Sequence, residues 1–180
     1  MEQNTYPELK KHKLSFDLSK GFTLVELLVV IAIIGVLATL LLLQLGVARG
    51  KARDTQRITN VSQLRNAMEL YFDDNNGHYP AALNIANLGK YLTVAALPKD
   101  PVTAADYFYS YNPATNPTQF HLWSELEQKN GQAMTNDSDI NSTGWSGNAI
   151  DASNATTTEA CTAAYNAGAA RDCIYDVGQK

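Results

Sequence analysis

From Leu27 to Ala48 the chain runs for twenty-two residues without a formal charge. As a helix that stretch measures about 33 Å, close to the thickness of a bilayer's hydrocarbon core. Between Leu27 and Leu43 the only polar side chain is Thr39, so apolar residues occupy every face rather than one stripe. Such a helix belongs in lipid or inside protein. A removable secretory signal is the plainer account, but its apolar core spans about 7 to 15 residues and ends at an A-x-A-like site, which does not follow here. The apolar content is unevenly spread: the 180-residue chain is 45% hydrophobic and 18% charged, with much of the remainder polar. That distribution excludes a uniformly soluble globule and a polytopic membrane protein. The net charge of -4 argues against a dedicated nucleic-acid binder, which gains affinity by neutralising phosphates with Lys and Arg, and only a local basic patch could reopen that question.

One ionisable residue, Glu26, opens the apolar run, preceded by Gly21, Phe22, Thr23, Leu24 and Val25. A carboxylate at that depth costs a few kcal/mol and needs a partner or a role. No Lys or Arg lies one helical turn further on, so the partner is expected outside the side chains of this chain. A cut after Gly21 would create an α-amine on Phe22, four residues before Glu26 or on a neighbouring molecule.

The stretch from Lys20 through Gly21-Phe22-Thr23-Leu24-Val25-Glu26 into the apolar helix, with Gly35 inside it, resembles the class III signal of type IV pilins and type II secretion pseudopilins. The resemblance implies an α+β, pilin-like fold: a long N-terminal helix packed against a small antiparallel sheet. It further implies cleavage by a prepilin peptidase between Gly21 and Phe22, N-methylation of Phe22, and docking of Glu26 on the N-terminal amine of a neighbouring subunit. The implied domains are a leader over 1–21, a membrane and polymerisation half of the helix over 22–48, an amphipathic half over 49–75 and a head over 76–180. The leader carries Lys10, Lys11, Lys13 and Lys20 against Glu2, Glu8 and Asp17. Because Arg49, Lys51, Arg53, Arg57 and Arg65 lie on the other flank, the positive-inside count does not orient the helix. The resemblance does, by placing the leader on the cytoplasmic side.

Beyond Ala48, Ile58, Val61, Leu64, Met68 and Tyr71 or Phe72 recur at helical steps. A single helix from Phe22 to about Asp74 is expected, ended by Asn75-Asn76-Gly77 with Pro80 soon after. Family helices often carry a proline near the position that Leu43 occupies, so any local melting during assembly falls to Gly46. The basic cluster from Arg49 to Arg65, opposed only by Asp54, reads first as a solvated helix face or a contact for lipid headgroups, with a nucleic-acid contact as the remaining alternative.

Two further segments resemble the same family, Asn76-Gly77-His78-Tyr79-Pro80 after the stem and Leu97-Pro98-Lys99-Asp100-Pro101 before the sheet. Tyr107, Tyr109 and Tyr111 alternate, as do Phe120, Leu122 and Ser124, and Asn112 to Thr118 forms a turn between them. This predicts an antiparallel hairpin on the stem, its tyrosines serving the sheet and core rather than a stacking platform. Lys129 to Thr158 is polar and loop-like, with Met134, Ile140, Trp145 and Ile150 as its apolar anchors. Asp137, Asp139 and Asn141 alternate like half of an EF-hand loop, but Ser142 takes the place of the glycine and no closing Glu follows. The segment is read as a solvated loop.

Cys161 and Cys173 would close a thirteen-residue ring, stabilising the tail by about 3 kcal/mol. An even count in an exported chain reads as a disulfide. Pilins often close this region so, which favours a pilus subunit. A helical turn over 163–170 and a last strand from Ile174 to Val177 are expected. His12, His78 and His121 stand without partners at ligand spacing, and no nucleophile elbow or phosphate loop is present. No catalytic residue, metal or cofactor is therefore expected. The function expected is that of a structural subunit. It would be held as a single-pass precursor in the cytoplasmic membrane with its N-terminus cytoplasmic, and then polymerise with its own copies, through an assembly machinery, into an extracellular or periplasmic fibre. The alternatives are a pseudopilin that drives type II secretion and a membrane-anchored minor pilin for adhesion or DNA uptake.

Overall fold

The computed structural model describes residues 21–153, 161–162, 165 and 172–180. The leader up to residue 20 and most of the turn expected over 163–170 lie outside the described residues. Helix α1 runs from Leu24 to Asp74. The chain divides into two compact units, Met1–Leu43 and Gln44–Lys180. In the first, every described side chain is exposed, including Leu24, Leu27, Ile31, Ile34 and Leu41. Helix α1 is long and apolar enough to cross a membrane.

In the second unit, Val61, Leu64 and Met68 of α1 are fully buried and Ile58, Tyr71 and Phe72 pack beside them, which is the face that the three- and four-residue spacing predicts. The helix ends as its sequence dictates. The Gly77 N–H donates to Phe72 O at 3.0 Å, and Asn76 takes the left-handed conformation with φ +56, a Schellman-like stop. Tyr79 then packs between Phe72 and Phe120, with ring centroids 4.6 Å away on each side.

The short helix α2, Ile85–Leu88, leads to strands β1, Phe108–Asn112, and β2, Gln119–Glu125. Helix α3, Gly131–Thr135, strand β3, Ser146–Gly147, and strand β4, Ile174–Gln179, complete the fold. The sheet order is β3-β1-β2-β4 with antiparallel pairing throughout. Strand β2 is buried on both faces. Its Phe120 and Leu122 join the core that includes Val61 and Leu64 of α1, while Trp123 packs with Ile174, Ala152, Phe108 and Ile150.

The segment read as a solvated loop covers that second face. Ile140 and Ala152 are buried, and Ser142 N and Ala152 N bond to Ile150 O and Ile140 O, so the polar chain satisfies its backbone while lending a few apolar side chains. Gly178 of β4 is where the cover comes closest: a Cβ there would press on Phe120 O and lie 2.6 Å from Ile140 Cδ1.

Candidate functional site

At the start of α1, Thr23 precedes the first helical residue and Glu26 lies in the first turn. Thr23 N and Oγ1 donate to Glu26 Oε2 at 2.8 and 2.7 Å, and Glu26 N donates back to Thr23 Oγ1 at 3.2 Å. This is a capping box, which satisfies the free amides of the first turn and sets a negative charge at the positive end of the helix. The expectation that Glu26 has no side-chain partner in its own chain is therefore corrected: Thr23 fills that place. The T-x-x-E spacing before an apolar run carried the signal. Phe22 is 87% exposed and a Cβ on Gly21 would meet nothing, so among the described residues nothing covers the peptide between them. From Leu24 to Val47 the apolar side chains stand uncovered on all sides.

The basic stretch after the apolar run holds a second structure that the sequence reading missed. Arg57, expected on a solvated face, is fully buried. Its Nε donates to Asp100 Oδ2 at 2.6 Å, and its Nη1 donates to Asp54 Oδ1 and Glu127 Oε1, both at 2.7 Å. Arg53 pairs with Glu127 as well. The carboxylates have further donors: Glu127 N and Gln128 N bond to Asp54, and Val102 N and Thr103 N bond to Asp100. Arg57 thus clasps together α1, the Pro-Lys-Asp-Pro turn and the chain leaving β2. The Tyr165 ring, inside the span between Cys161 and Cys173, covers the guanidinium at 4.3 Å. Burial alone would push the Arg57 pKa down, but hydrogen bonds to Asp100, Glu127 and Asp54 outweigh it and hold the pKa above its ordinary value. Burial would likewise raise Asp100, yet Arg57 and the amides of Thr103 and Val102 hold it well below the carboxylate range. Glu127 is held low first by Arg53 and then, against burial, by Arg57.

A disulfide joins Cys161 to Cys173, with Cα atoms 4.4 Å apart. Its strand-side end is tied down by Leu126 N donating to Cys173 O at 2.7 Å.

His121 has partners that its sequence neighbourhood does not reveal. Its Nδ1 is 2.8 Å from Ser142 Oγ, and its Nε2 is 2.9 Å from Asp176 Oδ2, off the line of a hydrogen bond but within ion-pair reach. The order Ser-His-Asp invites a catalytic reading. Here, however, all three side chains are buried, and Ser142 gives its proton to Ile150 O at 3.0 Å. A nucleophile needs substrate access and a proton free to leave toward its base. The trio braces the cover segment against β2 and β4. Among the described residues no group of three or more Asp, Glu, His or Cys could hold a metal. Asn141 Oδ1 accepts from Thr143 N, and Asp176 accepts from the amides of Asp139 and Ile140, so this segment is organised by its own hydrogen bonds.

The description of the prokaryotic N-terminal methylation motif matches residues 18–42. Over 91 residues the chain is 37% identical to the type IV wide pilus major component PilA4 of Thermus thermophilus, an alignment covering 51% of this chain and 70% of that protein. The chain belongs to the type IV pilin and type II secretion pseudopilin family. It is also 41% identical over 91 residues to the type II secretion system core protein G of Escherichia coli, covering 51% of this chain and 59% of that relative. A third relative, the core protein G of Aeromonas hydrophila, is 42% identical over 60 residues, 33% of this chain and 41% of its own length. No solved structure matches. The pilin-like α+β fold is the one described above, a long N-terminal helix whose second part packs on a small antiparallel sheet.

Proposed function

We propose that this chain is a pilin, cleaved between Gly21 and Phe22 by a prepilin peptidase, methylated on the new amine of Phe22 and polymerised with its own copies into a type IV pilus-like fibre. The observation that carries this reading is the methylation motif at residues 18–42 opening directly onto an apolar helix exposed on every side. Uncovered Leu, Ile and Val over five turns need lipid before assembly and other helices after it. Residues 1–21 are then the leader, 22–48 the membrane and packing segment, and the head stands outside the cytoplasmic membrane. Glu26 would leave or share its bond to Thr23 when it meets a neighbour's amine. The bridged C-terminal segment supports a pilus subunit.

A second reading, a pseudopilin whose short fibre drives type II secretion, is favoured by the 41% identity to core protein G of Escherichia coli. The two are separated by deleting the gene and scoring surface fibres against the export of secreted enzymes.

Mass spectrometry of the mature N-terminus tests the processing step. A methylated Phe22 is expected, and an intact Met1 or a cut elsewhere overturns it. Glu26→Ala should abolish fibres while leaving the chain in the membrane. Normal fibres from that variant would remove the docking role.

A further inference from the structure

Three Asn-x-Ser/Thr triplets whose middle residue is not proline fall among the described residues, beginning at Asn60, Asn136 and Asn141, and a fourth at Asn154 lies outside them. This triplet is the acceptor pattern for N-linked oligosaccharides. The reaction needs a carboxamide nitrogen that an enzyme can reach, on backbone that can enter its groove. Asn60 fails both conditions: it sits within α1, half-buried, with Nδ2 donating to Tyr107 Oη at 2.9 Å. Asn136 is exposed, but its Nδ2 donates to Gln132 O at 2.8 Å.

Asn141 differs from both. It is exposed, it lies outside the named helices and strands with its backbone paired only at an isolated antiparallel bridge to Asp151, and its Nδ2 has no hydrogen-bond partner among the described residues. Its Oδ1 accepts from the Thr143 N–H at 2.9 Å, the Asx turn that brings the asparagine amide and the threonine side chain to one side. Ser142 between them is buried, held by Ile150 and His121, so Asn141 and Thr143 are left presented outward. Two residues earlier, Asp139 sets an acidic side chain beside the triplet. Its Oδ1 is buried without a partner, so turning that oxygen outward breaks no hydrogen bond.

We propose that Asn141 is an acceptor for an N-linked oligosaccharide, donated from a polyprenyl pyrophosphate carrier. Asn141 Nδ2 attacks the anomeric carbon of the first sugar. A C–N bond forms as the C–O bond to pyrophosphate breaks, the lipid pyrophosphate departs with the electron pair, and the nitrogen's proton passes to a base of the transferase. In the cell the reaction needs the head outside the cytoplasmic membrane and in that respect rests on the function proposed above. Acceptor competence does not, and it is tested separately.

The test incubates the purified full chain, in detergent, with a bacterial oligosaccharyltransferase and a lipid-pyrophosphate oligosaccharide, then maps glycopeptides by mass spectrometry. Among the triplets of the described residues, one glycan is expected, on the peptide holding Asn141, whether or not Asn154 is also modified. It should be lost in Asn141→Gln and Thr143→Ala, and kept in Thr143→Ser and Asn136→Gln. An unmodified Asn141 peptide in the folded chain, or a glycan mapped to Asn60 or Asn136 instead, overturns the proposal. The wild-type peptide map decides the matter even if a variant folds poorly.

Discussion

Replacing Arg57 by Met is the sharpest test of how the head is held together. The clasp contains two cations, Arg53 and Arg57, and three anions, Asp54, Asp100 and Glu127, for a net of 2 − 3 = −1. Removing Arg57 makes it −2, and the stranded charges include Asp54 and Asp100, which are 2% and 9% exposed. Breaking a buried pair by deleting one partner costs about 3 to 5 kcal/mol, because the remaining charge is left uncompensated. The backbone donors that Asp54 and Asp100 retain place the expectation at the lower end, about 3 kcal/mol. That is a large share of an ordinary domain stability of about 5 to 15 kcal/mol, and corresponds to a fall in Tm of roughly 10 °C.

Acid changes the comparison with a definite sign. In the wild-type chain Asp100 and Glu127 are held below the ordinary carboxylate range. Their contribution is therefore complete above the unfolded value of about 4 and is lost as pH falls through the lower folded values. In Arg57→Met, burial acts on Asp100 without its guanidinium, so its folded pKa rises and protonation relieves the variant. The stability gap should narrow as pH falls from about 5 toward 2. Urea unfolding of the detergent-solubilised chain across that range measures it. The double variant Arg57→Met with Asp100→Asn, which removes one stranded charge, should recover part of the loss at neutral pH. A cost for Arg57→Met below about 1 kcal/mol, near that of a surface substitution, or a gap independent of pH, would refute the reasoning.

Three shorter expectations follow from other contacts. Gly178→Ala places a methyl against the carbonyl of Phe120 on the paired strand, and trimming Ile140 cannot relieve that, so a loss of about 1 to 3 kcal/mol is expected from chemical denaturation of the single and the Ile140→Ala double variant. Replacing Cys161 and Cys173 together by Ser should lower stability by about 3 kcal/mol, read as a lower urea midpoint, and reductant should lower the midpoint of the wild-type chain but not that of the variant. Thr23→Ala removes the cap that holds Glu26, costing about 1 kcal/mol locally, and faster amide exchange confined to the first turn of α1 is the measurement.

The parts of this structure that were legible in the sequence are those whose partners are near in sequence. The apolar half of α1, its stop at Asn76-Gly77, and the β1–β2 hairpin follow from period, turn residues and alternation within a few positions. The Thr23–Glu26 box is equally local, three residues apart, but its partner for the carboxylate is an uncharged hydroxyl rather than a cation. Arg57 is the opposite case. Its partners Asp100 and Glu127 are 43 and 70 residues away, and nothing in its immediate neighbourhood separates it from Arg49, Lys51 or Arg65, which the fold leaves exposed. The trio of His121, Ser142 and Asp176 comes from three segments in the same way. A run of positive charge is thus a statement about composition until the carboxylates that face it are known. Of the five cations after the apolar run, Arg57 is consumed inside the head and Arg53 is paired at its edge, and only the three exposed ones remain available to attract headgroups or nucleic acid. The folded charge pattern therefore weakens the surface-binding reading of the basic stretch and assigns its middle to holding the stem against the head.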